Sequence, residues 1–346
     1  MFKKILIANR GEIALRIHRA CKDMGIKTVA IHSTADEKAM HVKLADESVC
    51  IGPANIKDSY LNIPSIISAA TIANVDAIHP GVGLLSENSN FAKIIKDHGF
   101  TFIGPKYEHL ALMGNKIMAK KKAKEIGLPI LPGSDGAVES FSEALKISEK
   151  IGFPLLIKAS SGGGGRGIKK VHSTKELKQQ YSLAKLEAKR SFGDDSVYME
   201  KYLTNPRHIE IQIIGDKYGN ILHIGERDCS IQRRHQKLIE ECPSPILSEK
   251  QREKICKICK DSMTKLNYLN VGTIEFLYEN NEFYFIEMNT RLQVEHPITE
   301  NVYGVDIVKE QINISYGNKI TLKQNDLNNI GHAIECRINA ENSKNF

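Results

Sequence analysis

Long apolar runs are missing from this chain. The first eight residues are apolar over too short a stretch for a signal peptide, and nothing downstream is long enough to span a bilayer, so no membrane association is expected. Nor do the cysteines form a framework. Seven are scattered without close, even spacing, which fits a reducing, cytoplasmic setting. The one CxxC, Cys256-Lys257-Ile258-Cys259, has no second pair and lies within helical periodicity over 249–266, so both cysteines read as helix residues and not as zinc ligands. A concentrated basic face is lacking as well. The net charge of +7 is modest and dispersed, so nucleic acid is not an expected partner. There is no GxxxxGK[ST] loop, no dinucleotide fingerprint and no internal repeat.

What is present suffices for several cores: 346 residues at 41% hydrophobic content can build two or three. Strand, helix and strand patterns alternate over 5–8, 12–24, 28–32, 63–73 and 77–79. That alternation predicts a parallel sheet with ligand-facing loops at the strand C-termini. Around Leu112 to Lys116 the pattern changes to a Lys-rich helix, and Pro129, Pro132 and Gly133 mark a boundary. Strands over 154–158 and 196–200, with a helix over 174–191, then frame a small lid.

Three segments carry chemistry. In Gly272 to His296, two strands rich in β-branched and aromatic residues flank Glu279-Asn280-Asn281, a hairpin bearing Glu275, Glu287, Asn289, Arg291 and Glu295. A two-residue Asn280-Asn281 turn would put Glu275 and Glu287 on opposite faces, whereas a three-residue loop with Asn281 left-handed would put them across from each other. The three-residue loop is the expectation. Two bare carboxylates about 4 Å apart repel by roughly 4 kcal/mol at an effective dielectric near 20, an objection that a divalent cation removes. Ligands Glu275, Glu287 and Asn289 offer oxygen and amide groups that suit Mg²⁺ or Mn²⁺. The second segment, Lys158-Ala159-Ser160-Ser161-Gly162-Gly163-Gly164-Gly165-Arg166-Gly167, lets backbone N–H groups approach an anion while Lys158 and Arg166 add charge, as a phosphate flap requires. The third, Glu226 to Lys237, packs Arg233, Arg234, His235 and Lys237 into five residues. It reads as a cationic loop facing anionic substrates.

Together these residues resemble the biotin carboxylases, the ATP-grasp enzymes that perform the first half-reaction of acetyl-CoA carboxylase and related carboxylases. The resemblance runs in order through Ile7-Ala8-Asn9-Arg10-Gly11-Glu12, His79-Pro80-Gly81, Leu85-Ser86-Glu87-Asn88, Phe102-Ile103-Gly104-Pro105, the glycine flap, Met199-Glu200-Lys201-Tyr202-Leu203 and Glu226-Arg227-Asp228-Cys229-Ser230. It continues through Glu287-Met288-Asn289-Thr290-Arg291-Leu292-Gln293-Val294-Glu295-His296-Pro297 and Glu335-Cys336-Arg337-Ile338-Asn339. It implies an α/β and α+β fold: a Rossmann-like pre-ATP-grasp domain over 1–113, an ATP-grasp domain over 114–325 with a glycine-rich lid at about 131–203, and the start of a C-terminal domain over 326–346.

The implied roles fall residue by residue. Lys116 and Lys158 would contact the phosphates of ATP under Gly164 and Gly165; Glu200, Lys201, Tyr202 and Leu203 would receive adenine, and His208, Gln232 and His235 would help to hold the nucleotide. Glu275 and Glu287, with Asn289, would bind Mg²⁺ or Mn²⁺. Lys237, Arg291, Gln293 and Val294 would bind bicarbonate, Glu295 would deprotonate it, and Arg337 would stabilise the biotin enolate. Implied partners are a biotin carboxyl carrier protein, which carries the biotin substrate, carboxyltransferase subunits and a second copy of the chain; acetyl-CoA is the expected acyl acceptor.

Three departures from the family pattern stand out: Val82 where an aromatic hydroxyl is usual, Ser161 where glycine is usual, and a sequence that stops at Phe346 where the family continues. The last sets the rival expectation, a catalytically impaired ATP-binding remnant serving as an interaction subunit. A carbamoyl phosphate synthetase relative is a third reading, disfavoured by Arg233 to Lys237 and Asn289 to His296.

Overall fold

The computed structural model describes residues 1–160, 168–234 and 236–339. The expected flap residues Gly164 and Gly165, and His235, lie outside the described residues. The chain divides into two compact units, one comprising Met1–Asn115, His208–Phe276 and Glu287–Phe346, the other Lys116–Arg207 and Leu277–Ile286.

The first unit opens with five parallel strands, β1 (Lys4–Ile7), β2 (Lys27–Ser33), β3 (Glu47–Gly52), β4 (Ala77–His79) and β5 (Thr101–Phe102), in the order β3-β2-β1-β4-β5. Ile5, Leu6 and Ile7 are all buried because a parallel sheet is covered on both faces. The helix Gly11–Asp23 turns Ile13, Ala14, Ile17, Ala20 and Cys21 inward at helical spacing, into a core shared with Ile214, Leu222, Ile307 and Ile312. The strand order reverses between β1 and β4, the point at which open α/β sheets present loops to ligands. There Asn9 Nδ2 donates to the carbonyls of Pro80 (2.7 Å) and Val82 (2.8 Å). Gly81 has φ +66°, and a Cβ on it would lie 2.9 Å from Asn9 Nδ2, so only glycine fits this junction. Val82 packs its side chain, half-buried, against the core.

The second unit holds β6 (Leu155–Ala159), β7 (Ile168–Val171) and β8 (Val197–Lys201), antiparallel in the order β7-β6-β8. Helices Phe141–Ile151 and Thr174–Phe192 contribute Ala144, Leu177, Tyr181 and Ala184 to its core. Ser140 caps the first by accepting from the Glu143 N–H.

The first unit's second sheet comprises β9 (Arg207–Gly215), β10 (Ile221–Arg233), β11 (Gln236–Cys242), β12 (Asn270–Glu279), β13 (Glu282–Asn289) and β14 (Ala333–Cys336), in the order β13-β12-β9-β10-β11-β14; the tip of the β12–β13 hairpin belongs to the second unit. Two expectations need correction. The cationic segment is no loop: Glu226–Arg233 is the second half of β10, and Leu238–Cys242 lies in β11, with Arg234 at positive φ at the turn. Charge density suggested a loop, but Arg227 and Lys237 pair with acids inside the sheet, while Arg233 and Arg234 lie exposed at the β10–β11 turn. The hairpin turn is likewise two residues long, Asn280 and Asn281, both left-handed at φ 53° and 65°, the geometry that matches strand twist most closely. Cys256 and Cys259 are buried in the helix Glu249–Leu266, as their periodicity predicts.

Candidate active site

The strand β9 reads His208-Ile209-Glu210-Ile211-Gln212-Ile213, with isoleucines on one face and polar groups on the other. That polar row forms the floor of a buried charged cluster. Arg227, fully buried on β10, spreads its guanidinium over it: Nε donates to Glu210 Oε1 (2.5 Å), one terminal nitrogen to Gln212 Oε1 (2.8 Å) and Thr299 Oγ1 (2.9 Å), the other to Thr273 Oγ1 (3.3 Å) and Gln293 Oε1 (2.5 Å). All five N–H donors are thereby used. Arg227 is a scaffold residue.

Lys237 sits at the centre. Its Nζ donates to Glu210 Oε2 (2.5 Å), Glu275 Oε1 (3.0 Å) and Glu295 Oε1 (2.7 Å), one bond for each ammonium hydrogen. Burial opposes the charge on Lys237, but the surrounding carboxylates outweigh it and raise its pKa. Glu210 is held well below the usual carboxylate range: burial works against ionisation, and Lys237 and Arg227 overcome it. For Glu275 burial is again opposed, by the His208 hydrogen bond and the Lys237 charge, and the pKa falls. His208 Nε2 lies 2.9 Å from Glu275 Oε2, and that contact raises the imidazole's pKa despite desolvation. Gln232 Nε2 meets His208 Nδ1 at 3.0 Å.

The stretch after β13 closes the cluster. Asn289 Nδ2 and Gln293 Nε2 both donate to Glu275 Oε1, at 2.5 and 2.7 Å. Counted out from a two-residue turn, Asn289 would lie across from Gly272 with its side chain on the face opposite that of Glu275. The Asn289–Glu275 bond therefore requires a slip in the pairing or a twist at the end of β13. By strand alternation Glu287 shares the face of Asn289. Arg291 donates through Nε to Glu87 Oε2 (2.9 Å) and through a terminal nitrogen to Asn289 Oδ1 (2.9 Å). Val294 lies in the turn before the helix His296–Tyr303. Arg337, just past β14, grips Glu240 Oε1 through Nε (2.6 Å) and Glu295 Oε2 through a terminal nitrogen (2.9 Å).

In the second unit, Lys158 on β6 pairs with Glu200 on β8, and Lys120 reaches the other Glu200 oxygen at 3.3 Å. The Lys201 N–H donates to Pro132 O (2.8 Å), Lys170 Nζ lies 3.8 Å from the centre of the Tyr202 ring, and Leu203 is buried. Lys116 is exposed at the start of the helix Lys116–Ile126. The structure thus gathers His208, Gln232, Lys237, Glu275, Asn289, Arg291, Gln293, Glu295 and Arg337 in the first unit. Sequence reasoning missed Glu210, Arg227, Glu87 and Glu240. The period-two polar row of β9 was the available signal for Glu210.

The donor set on β12 and β13 fits a hard divalent cation, since Glu275, Glu287 and Asn289 can all supply oxygen. Among the described residues, two groups, His208–Glu210–Glu275 and Glu210–Cys229–Glu295, have ligand atoms within 4.8 Å of one another. The second is a poor metal site, because burial raises the Cys229 thiol well above its ordinary value and keeps it protonated.

Residues 1–110 match the family described as biotin carboxylase, N-terminal domain, and residues 115–323 the carbamoyl-phosphate synthase L chain, ATP binding domain. A biotin carboxylase of Haemophilus influenzae is 56% identical over 100% of this chain and 78% of its own length. A chloroplastic biotin carboxylase of Arabidopsis thaliana is 51% identical over 98% of this chain and 63% of its own. Among solved structures, a Campylobacter jejuni biotin carboxylase in complex with β,γ-ATP superposes with a TM-score of 0.91 at 51% identity, covering 100% of this chain and 78% of that one. The biotin carboxylase domain dimer of a Hydrogenobacter thermophilus 2-oxoglutarate carboxylase, with MgADP, ADP and bicarbonate, gives 0.89 at 50% identity over 99% of this chain and 76% of that one. With this sheet order and this charged cluster, the chain belongs to the biotin carboxylase family of ATP-dependent ligases.

Proposed function

We propose that this chain carboxylates biotin with bicarbonate at the expense of ATP, and that the charged cluster of the first unit performs the chemistry. The observation that carries this reading is Lys237 with its three carboxylates, one of which, Glu295, is also held by Arg337. Arg291 offers a planar fork and Lys237 a point charge to a small oxyanion such as bicarbonate. Glu295 accepts the bicarbonate proton, with both its oxygens oriented by cations. Carbonate then attacks the γ-phosphorus and displaces ADP, and the resulting carboxyphosphate decays to CO₂ and phosphate. Phosphate takes the N1 proton of biotin, Arg337 meets the charge that develops on the ureido oxygen, and N1 then attacks CO₂ to give carboxybiotin. Mg²⁺ or Mn²⁺ on Glu275, Glu287 and Asn289 would neutralise charge on the phosphate oxygens.

Lys116, Lys158 and Glu200 to Leu203 are the proposed nucleotide contacts of the second unit. Lys158 is held by Glu200, so phosphate binding means exchanging one anionic partner for another. The domain division proposed is 1–113, 114–325 and 326 onward. Proposed partners are a biotin carboxyl carrier protein, carboxyltransferase subunits and a second copy of the chain. Seven free cysteines support a reducing compartment, for which the cytoplasm is proposed; no described helix is long and apolar enough to cross a membrane.

The test is ATP hydrolysis with bicarbonate, with and without free biotin. Biotin-dependent turnover that Glu295→Gln abolishes, with nucleotide binding retained, is the expected result. Full activity in that variant would overturn the assignment.

A further inference from the structure

The strands β11 and β14 bring two carboxylates side by side. In their antiparallel register Glu240 stands directly across from Glu335, which puts the two Cβ atoms about 5 Å apart on one face. The Glu240 side chain is fully buried. Its Oε1 accepts from Arg337 Nε, but its Oε2 is buried with no hydrogen-bond partner among the described residues. A lone buried carboxylate oxygen is costly, and what it lacks is a proton donor. Glu335 is the carboxyl that the register delivers to it. Burial pushes Glu335 up to about 7, with the charges of Glu240 and Glu295 adding to the rise and Arg337 opposing it. Burial raises Glu240 as well, against the pull of Arg337.

We propose that Glu240 and Glu335 share one proton across the β11–β14 ladder, and that this carboxyl pair positions Arg337 against Glu295. With the proton in place the pair carries one negative charge, matched by Arg337, whose terminal nitrogen holds Glu295 Oε2 at 2.9 Å. Once the proton is lost, two negative charges pull the guanidinium toward the ladder and away from Glu295. Among the described residues, the other charged groups facing the pair are Lys237 on β11 and Glu12 on the helix Gly11–Asp23. On the helix His296–Tyr303, Glu300 is paired with Arg16, and burial lowers His296 to about 4, leaving it uncharged. Glu240 and Glu335 touch no reacting atom, so both are positioning residues. Their kinetic effect rests on the roles proposed above for Arg337 and Glu295; the shared proton does not.

Infrared difference titration of the full chain tests the proton directly. A carboxylic-acid carbonyl band that disappears with a midpoint near pH 7 is expected in the wild type, absent in Glu335→Gln and shifted at least about one unit lower in Glu240→Gln. No acid band surviving above about pH 6, or an unchanged band in Glu335→Gln, overturns the shared proton. The kinetic arm is the pH profile of kcat/KM for free biotin. A fall of about threefold or more above pH 7 in the wild type, missing from Glu335→Gln, supports positioning, and an identical fall in both overturns it. A chain that does not carboxylate biotin at all would fail the proposed function while leaving the infrared result to decide the pair.

Discussion

Replacing Lys237 by methionine removes the one group that three buried carboxylates share. Each charge-assisted bond contributes about 1.5–3 kcal/mol, so simple addition would reach roughly 5–9 kcal/mol. The sum overstates the loss, because each acid keeps a second partner: Glu210 has Arg227, Glu295 has Arg337, and Glu275 has His208, Asn289 and Gln293. The better guide is the cost of breaking a buried ion pair from one side, about 3–5 kcal/mol. At about 2–4 °C per kcal/mol for a domain of this size, the unfolding midpoint of the first unit should fall by roughly 6–20 °C at pH 7. The sign of the pH dependence follows from the acids. Glu210 and Glu275 have folded-state pKa values below their ordinary 4.5, burial being overcome by Lys237 and its neighbours. Their contribution is therefore full above the ordinary carboxylate range and is lost as pH falls through the folded values. Without Lys237 much of that depression disappears, so the gap between wild type and variant should be widest near neutrality and narrow as the pH drops below 4.5. Thermal unfolding followed by circular dichroism at a series of pH values measures it. A midpoint within about 2 °C of wild type at pH 7, or a gap that does not narrow in acid, would refute the reasoning.

Arg227→Met leaves Glu210 Oε1 and the amide oxygens of Gln212 and Gln293 facing apolar carbon, and should cost about 3–5 kcal/mol in the same assay. Arg227→Lys should recover little of this, because a point charge cannot reproduce five directed bonds; near-complete recovery would argue that charge alone matters there. Glu287→Gln should weaken Mn²⁺ binding in the presence of ADP by about tenfold or more, read by calorimetry, while leaving the thermal midpoint near wild type. Equal Mn²⁺ affinity in the variant would remove Glu287 from the ligand set.

How far the site was legible depends on whether its residues announce themselves locally. The segment from Glu287 to Glu295 puts acid, amide and guanidinium groups within nine positions, so its chemistry showed without any fold. The α/β alternation of the first hundred residues was equally plain, because buried parallel strands read as apolar runs such as Ile5-Leu6-Ile7. Glu210 and Arg227 stayed hidden for the converse reason. Each is a single charge among isoleucines or acids, and its meaning comes from a partner on another strand, 17 residues apart for the pair itself and 66 for Arg227 and Gln293. The loop expected at Arg233 to Lys237 shrinks to a tight turn with Arg233 and Arg234 exposed, because Lys237 is drawn into the sheet by three acids delivered by β9, β12 and the turn after β13. The hairpin shows the opposite lesson. Its two-residue turn, taken alone, would have separated the acids of the expected cation site, yet Asn289 still bonds to Glu275. Local turn geometry sets the pairing only near the turn. Eight residues farther along, Asn289 faces the buried carboxylate of Glu275, where an unpaired charge would be costly.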